Sequence, residues 1–402
     1  MKKSPWHQIK KIKLLLSFFG LKDLDLIRRY STDTFFETFS DETHLRSAID
    51  WLGQAQDVNL DGGVSVIYSL RNGWDISYPE TTGYIIGTFI AYGLLIKKDE
   101  YIYRAKRMGN WEISIQAPSG GIISRPGEPI IRVFNTGQVI LGWCALFEQT
   151  QDESYLQSAI RAGDYLLQTQ EDDGRWIKDT YCGARTYHSR VDWALLRLWQ
   201  FTGEEKYASA ASKNLHWVIE QQTQSGWFKN CGFNQEDPIT HVIGYTLRGL
   251  IESYEIDVSY NLKLLDKDFF PLIKKTVDAI CGLIEKYQVS RENGLIPSSF
   301  NEYWSSHDKH TCLTGNVQLS IVLRRFGHIS KQISYNPYAD LLLNAAKKMQ
   351  IINTNISQVR GALPGTYPIN IGYLPYSYPN WATKFLADAL MLKMNDEIKL
   401  LS

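Results

Sequence analysis

The stretch "FNTGQVILGWCALFEQTQDESYLQSAIRAGDYLLQTQEDDGRW", residues 134–176, decides how this chain folds. Its first part, after a Thr-Gly opening, is apolar at nearly every position from Val139 to Phe147. A helix that is apolar all round must be buried. The second part, residues 153–170, places Tyr155, Leu156, Ala159 and Ala162 at helical spacing, with Glu153, Arg161 and Asp164 between them. That pattern belongs to a helix with one buried stripe and one wet face. Only the short turn QTQDE separates the two parts. The stretch therefore reads as a helical hairpin, with one helix inside the protein and one on its surface.

The hairpin repeats along the chain, and a repeat governs the whole fold. Thr-Gly openings recur in TTGYIIGTF from residue 81 and LTGNVQLSI from residue 313. SRVDWALLRLW from 189 and THVIGYTLRGL from 240 have the same apolar character. SYPN at 377–380 echoes SYPE at 77–80 and opens WATKFLADALML. Six amphipathic helices alternate with these six apolar ones, at 43–56, 100–116, 153–170, 205–222, 268–288 and 337–352. Six buried helices ringed by six surface helices predict an all-α (α/α)6 toroid over residues 41–402. Strand and helix do not alternate, which disfavours an α/β fold. Residues 1–40 read as a basic, amphipathic N-terminal extension.

Bulk properties narrow the function. Lys+Arg and Asp+Glu balance at 43 each, and no basic tract follows residue 30, which argues against a nucleic-acid partner. Twelve Trp, 23 Tyr and 16 Phe exceed what a core of this size asks for, and aromatic faces also stack on flat apolar ligand surfaces. The five cysteines are scattered and lack any C-x-x-C, so we expect idle thiols in a reducing, cytoplasmic setting and no zinc site. The N-terminal MKKSPWHQIKKIKLLLSFFG is basic, then apolar over about eight residues, too few to span a bilayer. It lacks a small-residue cleavage site, and it fits a surface helix able to touch a membrane peripherally through residues 1–30. No nucleotide- or metal-binding motif is present, so no cofactor is expected.

The connections are unequal. Turns from apolar to amphipathic helices are short, whereas the returning segments are long and rich in Gly, aromatic and charged residues. The long loops must share one face of the barrel, where function usually sits. Aligning the apolar helices gives a column of polar residues in the first turn: Tyr84, Gln138, Asp192, His241, Asn316 and Lys384. Buried polar groups need partners, and six of them in a ring point to a shared cavity. Each has a plainer reading as well. Ser77 with Glu80, Asn135 with Gln138, and Ser189 with Asp192 all carry capping-box spacing.

The loops before these helices add Asp75, Tyr78, Tyr187, His188, Arg190, Trp304, Tyr376, Tyr378 and Asn380, and Arg248 lies two turns into its helix. Arg132, Arg185, Asp237, His307, His310 and Tyr367 are further candidates in the loops. Carboxylates, His and Tyr can move protons. Arg and Lys can hold an anionic group.

On the quoted hairpin, the chain resembles the six-hairpin toroids of carbohydrate-active enzymes: glycoside hydrolases, polysaccharide lyases and N-acylglucosamine 2-epimerases. It is similar to the C-terminal helical domain of heparosan-type glucuronyl C5-epimerases, in which a Gly-Gln pair opens an inner helix. The resemblance implies a glycan substrate, in particular an acidic polysaccharide or oligosaccharide, and a place in polysaccharide metabolism or biosynthesis. QEDDGRW at 170–176 also matches the Q-x-x-x-G-x-W repeat of terpenoid cyclases and prenyltransferases, but the Asp-x-Asp-Asp acid motif of the cyclases is missing.

The expected function is therefore glycan chemistry. A hydrolase would use two carboxylates, with Asp192 as first choice and Glu80 or Asp75 as its partner. A uronate epimerase or lyase would use Tyr187, His188, His241 or Tyr378 as base, with Arg190, Arg248 or Lys384 facing the substrate carboxylate. Tyr78, Tyr84, Asn135, Gln138, Trp304, Asn316, Tyr376 and Asn380 would bind sugar. A non-catalytic glycan-binding role in polysaccharide assembly is the alternative. The sequence leaves the oligomeric state open.

Overall fold

Thirteen α-helices account for most of the computed structural model, which describes residues 21–30, 37–234, 237–290 and 294–401. After α1 (Leu21–Arg29), the chain alternates between an outer and an inner ring. The outer helices are α2 (Asp41–Asp57), α4 (Asp99–Ile115), α6 (Glu153–Thr169), α8 (Glu205–Glu220), α10 (Phe269–Ser290) and α12 (Asn336–Lys347). The inner helices are α3 (Pro79–Ile96), α5 (Val133–Thr150), α7 (Ser189–Thr202), α9 (Thr240–Tyr260), α11 (Leu313–Ser330) and α13 (Asn380–Met394). Each inner helix packs on the next, and α13 packs on both α2 and α3, closing the ring. The (α/α)6 toroid expected from the repeat is thus the fold, with inner helices buried along nearly their whole length.

Glycines explain why the inner ring closes. A Cβ on Gly83 of α3 would lie 2.8 Å from the Val139 Cα of α5, and one on Gly137 of α5 would lie 3.0 Å from the Val191 Cα of α7. The Thr-Gly signature therefore marks where one inner backbone rests on the next, an approach only glycine permits.

The Q-x-x-x-G-x-W motif is structural too. At the end of α6, the Gln170 amide donates to Gly174 O at 2.8 Å and to Ala210 O of α8 at 2.9 Å. Gly174 sits at φ +88° and crosses the α8 backbone, where a Cβ would meet the Lys213 carbonyl carbon at 2.6 Å. Trp176 donates to Leu166 O at 2.9 Å, and its ring is fully buried. Gln56, Gln116, Gln222 and Gln350 likewise tie the end of their own outer helix to the next one. The repeat thus cross-links the outer ring and carries no terpenoid chemistry of its own.

The outer-to-inner loops contain short strands that the sequence did not reveal: β1 (Ile67–Ser69), β2 (Gly73–Trp74), β3 (Ile123–Arg125), β4 (Glu128–Ile131), β5 (Thr311–Cys312), β6 (Thr366–Tyr367) and β7 (Ser377–Pro379). β2, β1 and β7 form an antiparallel sheet that joins the first loop to the last, with Tyr68 opposite both Trp74 and Tyr378. Strands this short give no hydrophobic alternation to read.

The expected extension at 1–40 is described in part. Leu26 and Tyr30 are buried against the barrel, and the Tyr30 hydroxyl donates to Met349 O at 3.0 Å. The basic stretch with which membrane contact was associated falls mostly in residues 1–20, outside the described residues. No helix among the described residues is long and apolar enough to cross a membrane.

Candidate active site

A cavity of about 480 Å³ opens on the loop face, within the ~300–1,000 Å³ typical of small-molecule sites. Its acids come from the first hairpin: Asp75 and Tyr78 from the loop, Glu80 from the first turn of α3. Arg125 of β3 and Phe134 of α5 form a second side, and Tyr181 and Tyr187 a third. Phe233 with His241 and Tyr245 of α9 stands opposite, and Tyr373 and Trp381 of the last hairpin complete the wall. Five of the six long loops or the helices they lead into therefore contribute, and the walls are mostly aromatic.

Glu80 dominates the chemistry. The capping box expected at Ser77 and Glu80 does not form. The N-cap of α3 is Tyr78, with no side-chain cap, while Ser77 donates to Asp61 at 2.8 Å. The Glu80 carboxyl faces the cavity instead, half-buried by its surface yet enclosed by protein. Burial raises its pKa to about 7, against the pull of Arg190 and a hydrogen bond with Tyr245. Such a carboxyl carries a proton for much of the time at neutral pH, as a general acid must.

The other groups around the cavity are held in place. Asp75 is bridged by Arg125 at 3.0 Å. The Tyr78 and Tyr181 hydroxyls lie 2.6 Å apart, and Tyr181 donates to Asn135 Oδ1 at 2.8 Å. Arg132 stacks on the Tyr181 ring at 4.9 Å. Burial, then the charge of Arg190, pushes the His241 imidazole down to about 3, so it is neutral, and its ring sits 4.5 Å from that of Tyr245.

Beneath the cavity floor lies the polar column seen in the sequence. Tyr84, Gln138, Arg190 and Lys384 are fully buried on the barrel axis. Arg190 Nε donates to Gln138 Oε1 at 2.8 Å. Lys384 pairs with Asp388 at 2.6 Å, and Thr88 donates to the same carboxylate at 2.8 Å. Burial, against the pull of Asp388, lowers the Lys384 ammonium to about 7. Arg248 lies further down, paired with Glu252 at 2.6 Å. Arg325 pairs with Glu252 at 2.8 Å and also with Glu255.

Other expected site residues lie elsewhere. Asp192 points away from the axis. It is fully buried and accepts from Asn214 of α8 at 2.6 Å, so it clamps an inner helix to an outer one. The sequence alignment put it in the column, but Arg190, two residues earlier in α7, takes that place, and two helical positions turn a side chain by about 200°. The capping boxes expected at Asn135 and Ser189 are likewise absent, because the N-caps of α5 and α7 are Arg132 and His188, and neither caps with its side chain. His188 is buried between Trp176 and Tyr187, and Asn316 is buried in the first turn of α11. Asn380 donates to Ser65 O and Thr81 Oγ1, tying the last hairpin to the first. Tyr378 is sealed between Tyr30 and Tyr68, Tyr376 lies under Arg71, and Trp304 donates to Ser225 O. None of these residues lines the cavity.

Sequence reasoning missed Arg125, Tyr181, Phe233, Tyr245, Tyr373 and Trp381. Tyr245 had a signal, since it follows His241 by one helical turn and shares its face. The loop residues had none. No group of three or more His, Cys, Asp or Glu among the described residues is placed to hold a metal ion.

Comparison with known proteins agrees with this architecture. An unsaturated glucuronyl hydrolase from Bacillus sp. GL1 superposes with a TM-score of 0.69 at 12% identity, covering 89% of this chain and 98% of that one. A sugar epimerase from a ruminal bacterium gives 0.69 at 12% identity, covering 92% and 98%. A D-mannose isomerase gives 0.65 at 13% identity, covering 88% and 97%. At these identities the likeness establishes the toroid. Among curated proteins there is no significant match. The family described as β-L-arabinofuranosidase, GH127 catalytic domain, matches residues 43–305, well over half of the chain. With that match and the closed toroid around an aromatic, carboxyl-bearing pocket, the chain belongs to the β-L-arabinofuranosidase GH127 catalytic-domain family and is a carbohydrate-active enzyme.

Proposed function

We propose that the cavity cleaves a glycosidic bond in an oligosaccharide or polysaccharide, with Glu80 giving its proton to the departing oxygen. The observation that carries this reading is the position of the Glu80 carboxyl in an aromatic-walled pocket, where burial raises its pKa to about 7. Two carboxylates serve most glycosidases, and Asp75, held by Arg125 across the cavity wall, is the second. It replaces Asp192, which the barrel keeps away from the cavity. The Trp381, Tyr373 and Phe233 rings supply stacking faces for sugar C–H surfaces.

The imidazole of His241, pushed down to about 3, binds a proton weakly, and the phenols around the cavity keep theirs, which disfavours C5-epimerisation and elimination. The five free thiols suit a cytoplasmic enzyme, and the basic N-terminal sequence suits peripheral membrane contact during polysaccharide assembly. The test is proton NMR of the protein with a panel of neutral and acidic glycans in deuterated water. New reducing ends that vanish in Glu80→Gln support hydrolysis by this carboxyl. Deuterium at C5 of an intact chain, or a new alkene signal, would replace the proposal with epimerisation or elimination.

A further inference from the structure

We propose that Arg190 is a positioning residue that governs the proton on Glu80, acting from beneath the pocket floor without touching substrate. The inference rests on the reading of Glu80 as the proton-transferring group. Its starting point is how the guanidinium is held. Arg190 lies in the first turn of α7 with none of its surface exposed. Its Nε is fixed by Gln138, but neither terminal nitrogen has a hydrogen-bond partner, and no carboxylate among the described residues lies within 4.0 Å. Three aromatic faces surround it instead, with Cζ 5.1 Å from the Tyr245 ring, 5.4 Å from Trp193 and 6.0 Å from Tyr84.

A structural strut would look different. Burying a guanidinium is costly unless carboxylates satisfy its fork. Lower on the same axis Arg325 has such carboxylates, in Glu252 and Glu255. Arg190 has only ring faces, which attract a cation but do not neutralise it. Its charge therefore acts at a distance through a low-dielectric cage. The link to the cavity is Tyr245, whose ring lies 5.1 Å from the guanidinium and which lines the wall together with Glu80, its hydrogen-bond partner.

The other groups around the pair leave this field little opposed. The nearest other cations are Lys384, already paired with Asp388, and Arg248, which lies over the Trp193 ring and is paired with Glu252. Around Glu80 stand Tyr78 and Tyr84 from its own hairpin, Tyr181 and Tyr187 from the third loop, Tyr245 from α9 and Tyr373 from the last loop. Burial holds all of these phenols uncharged. His241 is neutral as well. Arg190 is thus the cation that opposes the desolvation of Glu80. Without it the carboxyl would hold its proton too tightly to give it up near neutral pH.

The test reads Glu80 directly and needs no substrate. Carboxyl-13C glutamate is incorporated into the full chain, the Glu80 signal is assigned by its loss in Glu80→Gln, and its titration is followed by NMR. Arg190→Met and Arg190→Gln both delete the charge, and the second keeps a polar group beside Gln138 if the first fails to fold. The midpoint is expected to rise by about one pH unit, a tenfold gain in proton affinity. Arg190→Lys, which keeps the charge, should bring it back toward the wild-type value. A folded neutral variant with an unmoved midpoint overturns the role of Arg190, whatever turnover does. Undiminished turnover in Glu80→Gln overturns the catalytic reading of Glu80, whatever the midpoint does.

Discussion

Glu80→Gln should abolish turnover and stabilise the protein at alkaline pH, and both effects come from the same burial. The carboxyl's midpoint is about 7 in the folded chain, against an ordinary 4.5. At about 1.36 kcal/mol per pH unit, that difference is worth up to about 3 kcal/mol. Because the folded value is the higher one, the native state binds the proton more tightly. The stabilisation is complete below about pH 4.5 and is lost as pH rises through about 7. Glu80 keeps some accessible surface on the cavity side, so water screens part of the effect and about 1–2 kcal/mol is the realistic size. Glutamine has nearly the same shape and does not titrate. Urea unfolding of wild type and Glu80→Gln should therefore give a stability difference that grows in favour of the variant between about pH 4.5 and 8.5. A difference that stays flat across this range would refute the burial argument, and with it the reason for assigning Glu80 the acid role.

Other substitutions probe other parts of the structure. Asp192→Asn should leave kcat/KM unchanged and raise stability as pH increases, because burial pushes this acid well above its usual range in a site away from the cavity; steady-state kinetics and urea titrations at two pH values check both. Trp381→Ala should raise KM more than it lowers kcat, by about tenfold, if the indole stacks on sugar. Gly142→Ala would place a Cβ 2.3 Å from Gly83 O, and backbone cannot move aside cheaply. Chemical denaturation should show a loss of about 1–3 kcal/mol, despite the better helix propensity of alanine. Arg325→Met strips the buried Glu252 of one partner and should cost about 3–5 kcal/mol.

Glu80 and Arg190 illustrate a division found along the whole barrel axis. Near the loop face, two charged groups lack full complements: Glu80 has no ion-pair partner within 4.0 Å among the described residues, and the Arg190 fork has no acceptor. At the opposite end, Arg325 is held by both Glu252 and Glu255, and Arg248 pairs with Glu252. Burial alone would raise the Glu252 carboxyl, but the charges of Arg248 and Arg325 outweigh it and hold it down at about 2. A perturbed carboxyl with an incompletely paired cation beside it, at a pocket, is the arrangement expected of a site tuned for proton transfer.

The sequence by itself determined the toroid. Apolar and amphipathic helices alternate six times, and that pattern has one compact solution, because a helix apolar all round must be enclosed by others. The helix ends it gave fall within a few residues of those observed, and its Thr-Gly signature marks the places where inner backbones touch. It also put Glu80, Asp75, Tyr78, Tyr187 and His241 on the functional face, since helix order and loop length alone fix which end of the barrel carries the long loops. Direction within a turn was left to the tertiary structure. Asp192 and Glu80 both occupy the first turn of an inner helix, yet one faces an outer helix and the other the cavity, because Asp192 stands two positions later in its helix and two positions rotate a side chain by about 200°. The tertiary structure also chose the walls. Tyr181, Phe233 and Tyr373 lie on irregular loops without periodicity and Arg125 on a strand too short to show any, and only the folded arrangement of these connections brings them to one cavity.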